Sequence, residues 1–330
     1  MRITASSLGK ICAHAVRARV IACADVWGAL MGMIAKIFVG ENRALHHIWR
    51  AAIFFALVTF AFPFAAQPAV EWVVGRFHMQ QALSATNIAF GEGMNLVFAL
   101  LATALFAAFE RRGLGAYGLP LRRAFGAQTW EGFLTGIAMA GAVAAGMIAL
   151  GGMQIHGLAL TGEALALSAL AWLGANVLVG LAEELWFRAY FLQSLWRSIG
   201  FWPAAIVIAA IFAALHYFYK DGENIWDVIT LVSISMLLCF TVKRTGFLWF
   251  AVGFHIAFDF MQFFVIGTPN GNLIPQGRML DVTFNGPAWL TGGVLGTEAS
   301  WLMYPMIALV WIYVAMRYRP AAATGAAPAE

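Results

Sequence analysis

Residues 173–196 read LGANVLVGLAEELWFRAYFLQSLW, an apolar run interrupted by Glu183, Glu184 and Arg188. Further along, His216 follows Phe212 by four residues in FAALH, and Asp259 follows His255 by four in HIAFD. A carboxylate and two imidazoles meeting in a dry cavity are the parts of a general-base site. They are equally the parts of a metal site that holds an activated water. On a helix Glu184 and Arg188 share a face and can form an ion pair. Glu183 is rotated by about 100°, which leaves its carboxylate free for chemistry. The simplest division of labour makes Glu184 and Arg188 the structural pair and leaves Glu183 for chemistry, while Phe212 with His216 and His255 with Asp259 repeat the four-residue spacing on later helices that offer polar groups to a common interior.

Plainer readings stand beside this one. His216, next to Tyr217 and Tyr219, could equally anchor a helix end at a membrane surface, and His255 with Asp259 could be a structural hydrogen-bonded pair. Glu92 and Glu298 read as structural or boundary residues, and the adjacent His46 and His47 as interfacial. The chain carries no HExxH, no GxSxG elbow, no phosphate-binding loop and no dinucleotide-binding glycine pattern.

The elements that must position these residues follow from composition. Of 330 residues, 62% are hydrophobic and 11% charged, against roughly 45–50% and about 25% in a soluble domain. The chain is therefore expected to be an all-α, polytopic membrane bundle. A spanning helix needs about 20 apolar residues, and eight segments qualify: 51–75, 88–109, 130–155, 160–187, 202–219, 225–242, 246–267 and 300–316. A break is expected in the fourth at Gly180. All Lys and Arg residues except Arg76, Lys220 and Arg278 fall in alternate intervening segments. By the positive-inside rule this puts both termini in the cytoplasm, and the composition suits a bacterial inner membrane.

The expected organisation is a basic amphipathic or disordered segment at 1–47, N-terminal spans at 48–155, a catalytic core at 156–267, a Gly-rich loop with the last span at 268–317, and a disordered tail at 318–330. The loop from about 267 to 300 would face the non-cytoplasmic side and cover a site mouth. Cys12, Cys23 and Cys239 lack the spacing of a disulfide framework or zinc knuckle. The scattered basic residues give no nucleic-acid patch; the expected partners are membrane lipid and a peptide or protein substrate in or near the bilayer.

Taken in order, EELWFR, FAALH and HIAFD resemble the signature of the CPBP family of intramembrane proteases, the CAAX-protease and bacteriocin-processing group, over roughly residues 165–265. The resemblance implies an intramembrane endopeptidase in which Glu183 and His216 work on the attacking water. It implies that His255 and Asp259 stabilise the oxyanion or complete a metal site, with Glu184 and Arg188 at the remaining signature positions. If a metal is bound, Zn²⁺ held by Glu183, His216 and His255 is implied. Position 259 is Asp where the prenyl-protease branch has Asn, which favours a charged role over hydrogen-bond donation. A rival reading from another class is a non-catalytic immunity or transport component that uses the same cluster as a proton or ion path.

Overall fold

The computed structural model describes residues 43–319. The expectations for the basic stretch at 10–36, for Cys12 and Cys23, and for the tail beyond residue 319 fall outside the described residues, as does the side chain of His46. Among the described residues eight helical segments are long and apolar enough to cross a membrane; the protein is an integral membrane helix bundle.

The first span joins α1 (Arg43–Ala56) to α2 (Phe62–Arg76) through a π-helical turn, Leu57–Ala61. Its near half buries Ala51, Phe54 and Val58, whereas no residue of α2 is buried. The second span is α3 (Ala85–Glu110), whose first turn is capped by the Ser84 hydroxyl accepting from the Asn87 amide at 3.3 Å. The third, α4 (Ala127–Ala149), stops short of its expected end at 155. Gly151 takes φ 76°, and the Gly152 amide bonds back to the Met147 carbonyl at 2.7 Å, which turns the chain out of the helix. Met153–Leu158 then form β1, paired antiparallel with β2 (Leu280–Phe284). The Gly-rich 267–300 segment is thereby pinned to the bundle.

The fourth span runs from α5 (Gly162–Glu184) through a π-helical stretch, Leu185–Phe191, into α6 (Leu192–Ile199). The irregularity expected at Gly180 lies instead at Ala189, with φ −80° and ψ −105°. Gly180 serves close packing: a Cβ there would lie 2.8 Å from Ile256 Cγ1 and 3.1 Å from the Val252 carbonyl oxygen. The fifth and sixth spans are α7 (Phe201–Tyr219) and α8 (Ile225–Thr245). α8 is capped by Asn224, whose Oδ1 accepts from the amides of Trp226 and Asp227, and ends at Gly246 with φ 75°.

The seventh span, α9 (Trp249–Asp259), continues as a π-helical stretch, Phe260–Ile266. It is the core of the bundle, 83% buried against 17% for the first span. Glycines make that burial possible. A Cβ on Gly132 or Gly136 of α4 would overlap the carbonyl oxygens of Phe250 and Phe254, and one on Gly253 would overlap that of Thr129. The two backbones therefore touch, as small residues allow between helices in lipid. A short helix α10 (Ala288–Thr291) precedes the last helix, α11 (Met303–Arg317).

Because the spans alternate in direction, the connections sort to two ends. Segments 77–84, 150–161, 220–224 and 267–292 lie at one, where β1 meets β2. Segments 111–126 and 246–248 lie at the other, with residues 43 and 319, and there the Leu248 amide bonds to the Gly118 carbonyl at 2.9 Å.

Candidate functional site

Ionisable side chains at membrane depth are costly, so they turn inward and find partners. Arg188 shows how. Its guanidinium donates to Glu184 Oε1 at 3.0 Å, both side chains wholly buried, and to the Ser235 hydroxyl of α8 at 2.9 Å. It also lies 4.9 Å from the centre of the Phe212 ring on α7. One buried cation thus joins spans four, five and six.

Glu184 does more than balance that cation. The oxygen that accepts from Arg188 also accepts from His255 Nδ1 at 2.9 Å, which ties α5 to α9 and orients the imidazole. His255 Nε2 then points between two carboxylates, 3.6 Å from Glu183 Oε2 and 3.6 Å from Asp259 Oδ2. Those separations exceed a direct hydrogen bond and suit a bridging water. His216 is fixed from its own helix, Nδ1 donating to the Phe212 carbonyl at 2.9 Å, so its Nε2 is left as the acceptor.

Two adjoining cavities give these groups their setting. The inner one, about 180 Å³, is lined by Glu183, His216, His255 and Asp259, with Phe212 and Glu298 also in its wall. The outer one, about 660 Å³, runs along the first span at Val58, Thr59 and Pro63 to the loop residues Gln81, Asp221 and Leu273. Glu92, Glu183, His216, Lys220 and Asn270 line both. The inner space exceeds the about 30 Å³ that a water molecule occupies in the liquid. A peptide segment in the outer cavity would therefore meet Glu183 and His216 at the wall, with room for water behind them.

The pairing differs in detail from the sequence reading. Glu183 lies 3.6 Å from His255, and Glu184 serves His255 as well as Arg188. The sequence reading took Glu92 and Glu298 for structural or boundary residues and passed over Asn270 and Lys220; all four line the inner cavity. Lys220 Nζ lies 2.9 Å from Glu298, 3.5 Å from Asp227 and 3.5 Å from Glu223, which closes the mouth-side floor of the site. Burial alone would lower the Lys220 pKa, but the carboxylates of Glu298 and Asp227 outweigh it and hold the value above the usual lysine range. The signal that could have found Glu92 was present: a carboxylate inside an apolar run deserves the same suspicion as Glu183.

A catalytic zinc is held by three protein ligands with an open position. Among the described residues no group of three or more His, Cys, Asp or Glu side chains is arranged to hold a metal ion. Each imidazole bonds through Nδ1 within the protein, to the Phe212 carbonyl or the Glu184 carboxylate, and keeps Nε2 toward the cavity.

Over residues 165–261, less than a third of the chain, the sequence matches the family model described as type II CAAX prenyl endopeptidase Rce1-like. The match takes in Glu183, Glu184, Arg188, Phe212, His216, His255 and Asp259 and leaves out Glu92 and Glu298. No curated protein and no solved structure matches the chain.

Proposed function

From the match of residues 165–261 to the type II CAAX prenyl endopeptidase model we propose that this membrane protein is an endopeptidase that hydrolyses a peptide bond of a membrane-associated substrate by a Glu/His-activated water. The observation that supports the reading most is that Glu183 and His216 stand in the wall common to the two cavities. Water held there lies against a base on one side and a substrate-sized space on the other.

In this mechanism Glu183 takes a proton from the water while His216 Nε2 accepts its second hydrogen, which orients the oxygen lone pair toward the scissile carbonyl. Attack forms the tetrahedral intermediate. His255, as the imidazolium with Nδ1–H given to Glu184 and Asp259 alongside, donates Nε2–H to the developing oxyanion, and the low-polarity wall strengthens that interaction. Collapse breaks the C–N bond as protonated Glu183 returns its proton to the leaving nitrogen. No step passes through a metal. The site of action is a bacterial inner membrane with both termini cytoplasmic.

The test is cleavage of a panel of fluorogenic peptides, CAAX-like sequences included, by detergent-solubilised protein, wild type beside Glu183→Gln and His216→Ala. Cleavage that disappears in both variants supports the reading. Undiminished turnover in Glu183→Gln overturns it.

A further inference from the structure

The outer cavity has a definite side. Its loop residues, among them Gln81, Lys220, Asp221 and Leu273, come from connections at one end of the bundle. No residue of 111–126, Gly200 or 246–248, the connections at the other end, lines either cavity. The two ends also differ in charge. The far end carries Arg43, Arg50, Arg111, Arg112, Arg122, Arg123, Lys243, Arg244, Arg317 and Arg319, whereas the mouth end carries Arg76, Lys220 and Arg278. Of those three, Lys220 is enclosed by carboxylates and Arg278 lies 3.6 Å from Asp281. Short loops rich in Lys and Arg stay in the cytoplasm, so the mouth opens on the opposite face.

The mouth is also open toward lipid. The half of the first span that borders it, α2, buries no residue, and it follows a π-helical turn and carries Pro63 and Pro68. Phe64 on that helix is 79% exposed, and Tyr219 at the end of α7 is 82% exposed. Exposed apolar side chains thus flank the outer cavity. A polypeptide held in the bilayer reaches such a site sideways; a peptide dissolved in the cytoplasm does not reach it at all.

We infer that the site takes the extracytoplasmic juxtamembrane segment of a membrane-anchored polypeptide, admitted between α2 and the end of α7. The substrate class rests on the proteolytic reading; the sidedness of the mouth does not. Sidedness is read first, without activity. In a background with Cys12, Cys23 and Cys239 replaced, Ile274→Cys at the mouth end and Leu121→Cys at the other are expressed in intact bacterial cells and exposed to a membrane-impermeant maleimide. Labelling of the position-274 thiol, with the position-121 thiol labelled only after lysis, is the expected result. The reverse pattern overturns the inference.

The second arm uses two single-span reporter substrates that carry one cleavable juxtamembrane sequence, placed outside in one and in the cytoplasm in the other. The expected result is at least tenfold faster cleavage of the external site, and preferential cleavage of the cytoplasmic site overturns the inference. If neither is cut while position 274 is labelled from outside, the sidedness stands and the proteolytic reading fails.

Discussion

His255 Nδ1 lies 2.9 Å from Glu184 Oε1, the same oxygen that receives Arg188 at 3.0 Å. One carboxylate therefore balances a buried cation and sets the face that an imidazole turns to the cavity. Its neighbour Glu183 carries no such tie to Arg188, and the two adjacent glutamates should behave differently when changed.

Glu183→Gln should reduce turnover by about 10²–10⁴-fold, the usual size of a general-base contribution, with little change in melting temperature. Glu184→Gln should lower stability by about 3–5 kcal/mol, the cost of leaving a buried partner charged and alone. Thermal denaturation in detergent beside peptide turnover separates the two. Equal losses of stability in both variants would contradict the division of roles.

Arg188→Met should destabilise by a similar amount, because Glu184 stays buried while its cation is gone. The double change Glu184→Gln with Arg188→Met should cost less than the sum of the singles. Additive losses would show that the 3.0 Å pair contributes nothing of its own.

Lys220→Met tests the floor of the site. A lysine whose folded pKa is raised contributes stability that is fully present below its unfolded value, about 10.4, and lost as pH rises through the higher folded one. From about pH 6 to about pH 9 the variant should therefore be less stable than wild type by a constant margin. A margin that shrank across that window would mean that Lys220 loses its proton there.

Gly253→Ala should disrupt the site from behind. Its Cβ would strike the Thr129 carbonyl, and overpacking of this kind costs about 1–3 kcal/mol. The helix that gives way carries His255 two residues on, so turnover should fall together with the melting temperature. Gly91→Ala, where nothing lies within 4 Å of the added atom, is the control and should leave both unchanged.

Metal analysis of purified protein should find well under one zinc per chain, and chelation should leave turnover unchanged. Stoichiometric zinc that falls in His216→Ala and His255→Ala would replace the proposed mechanism with a metal-centred one.

How much of this was legible in the sequence depends on where each residue sits. A run of about 20 apolar residues has almost no other use than to cross a bilayer, so the eight spans could be read directly. Glu183, Glu184, Arg188, His216, His255 and Asp259 were conspicuous because each interrupts such a run. Lys220 and Glu298 were not, because they lie near span ends, where charge is ordinary. Only the folded chain brings them within 2.9 Å. Which imidazole Glu183 meets was also illegible, since helical spacing relates residues on one helix and says nothing of the next. The end of the third span at Gly151 and Gly152 was masked by an apolar strand that continues the hydropathy of the helix. Gly180 misled because a glycine that breaks a helix and one that lets a neighbour approach look alike in sequence.

The π-helical stretches have a consequence for counting. Such a stretch holds one more residue than the α-helical path it replaces, so Leu185–Phe191 acts as a phase shifter within the fourth span. Before it the helix faces Glu183 to the cavities; after it, Tyr190 donates to Glu110 at 2.9 Å. Deleting one of these residues other than Arg188 would restore regular winding with α6 still in place, whereas the same deletion in a regular turn of α5 would rotate everything beyond it by about 100°. An alignment that slides by a single position across this span therefore mistakes one face of the helix for another.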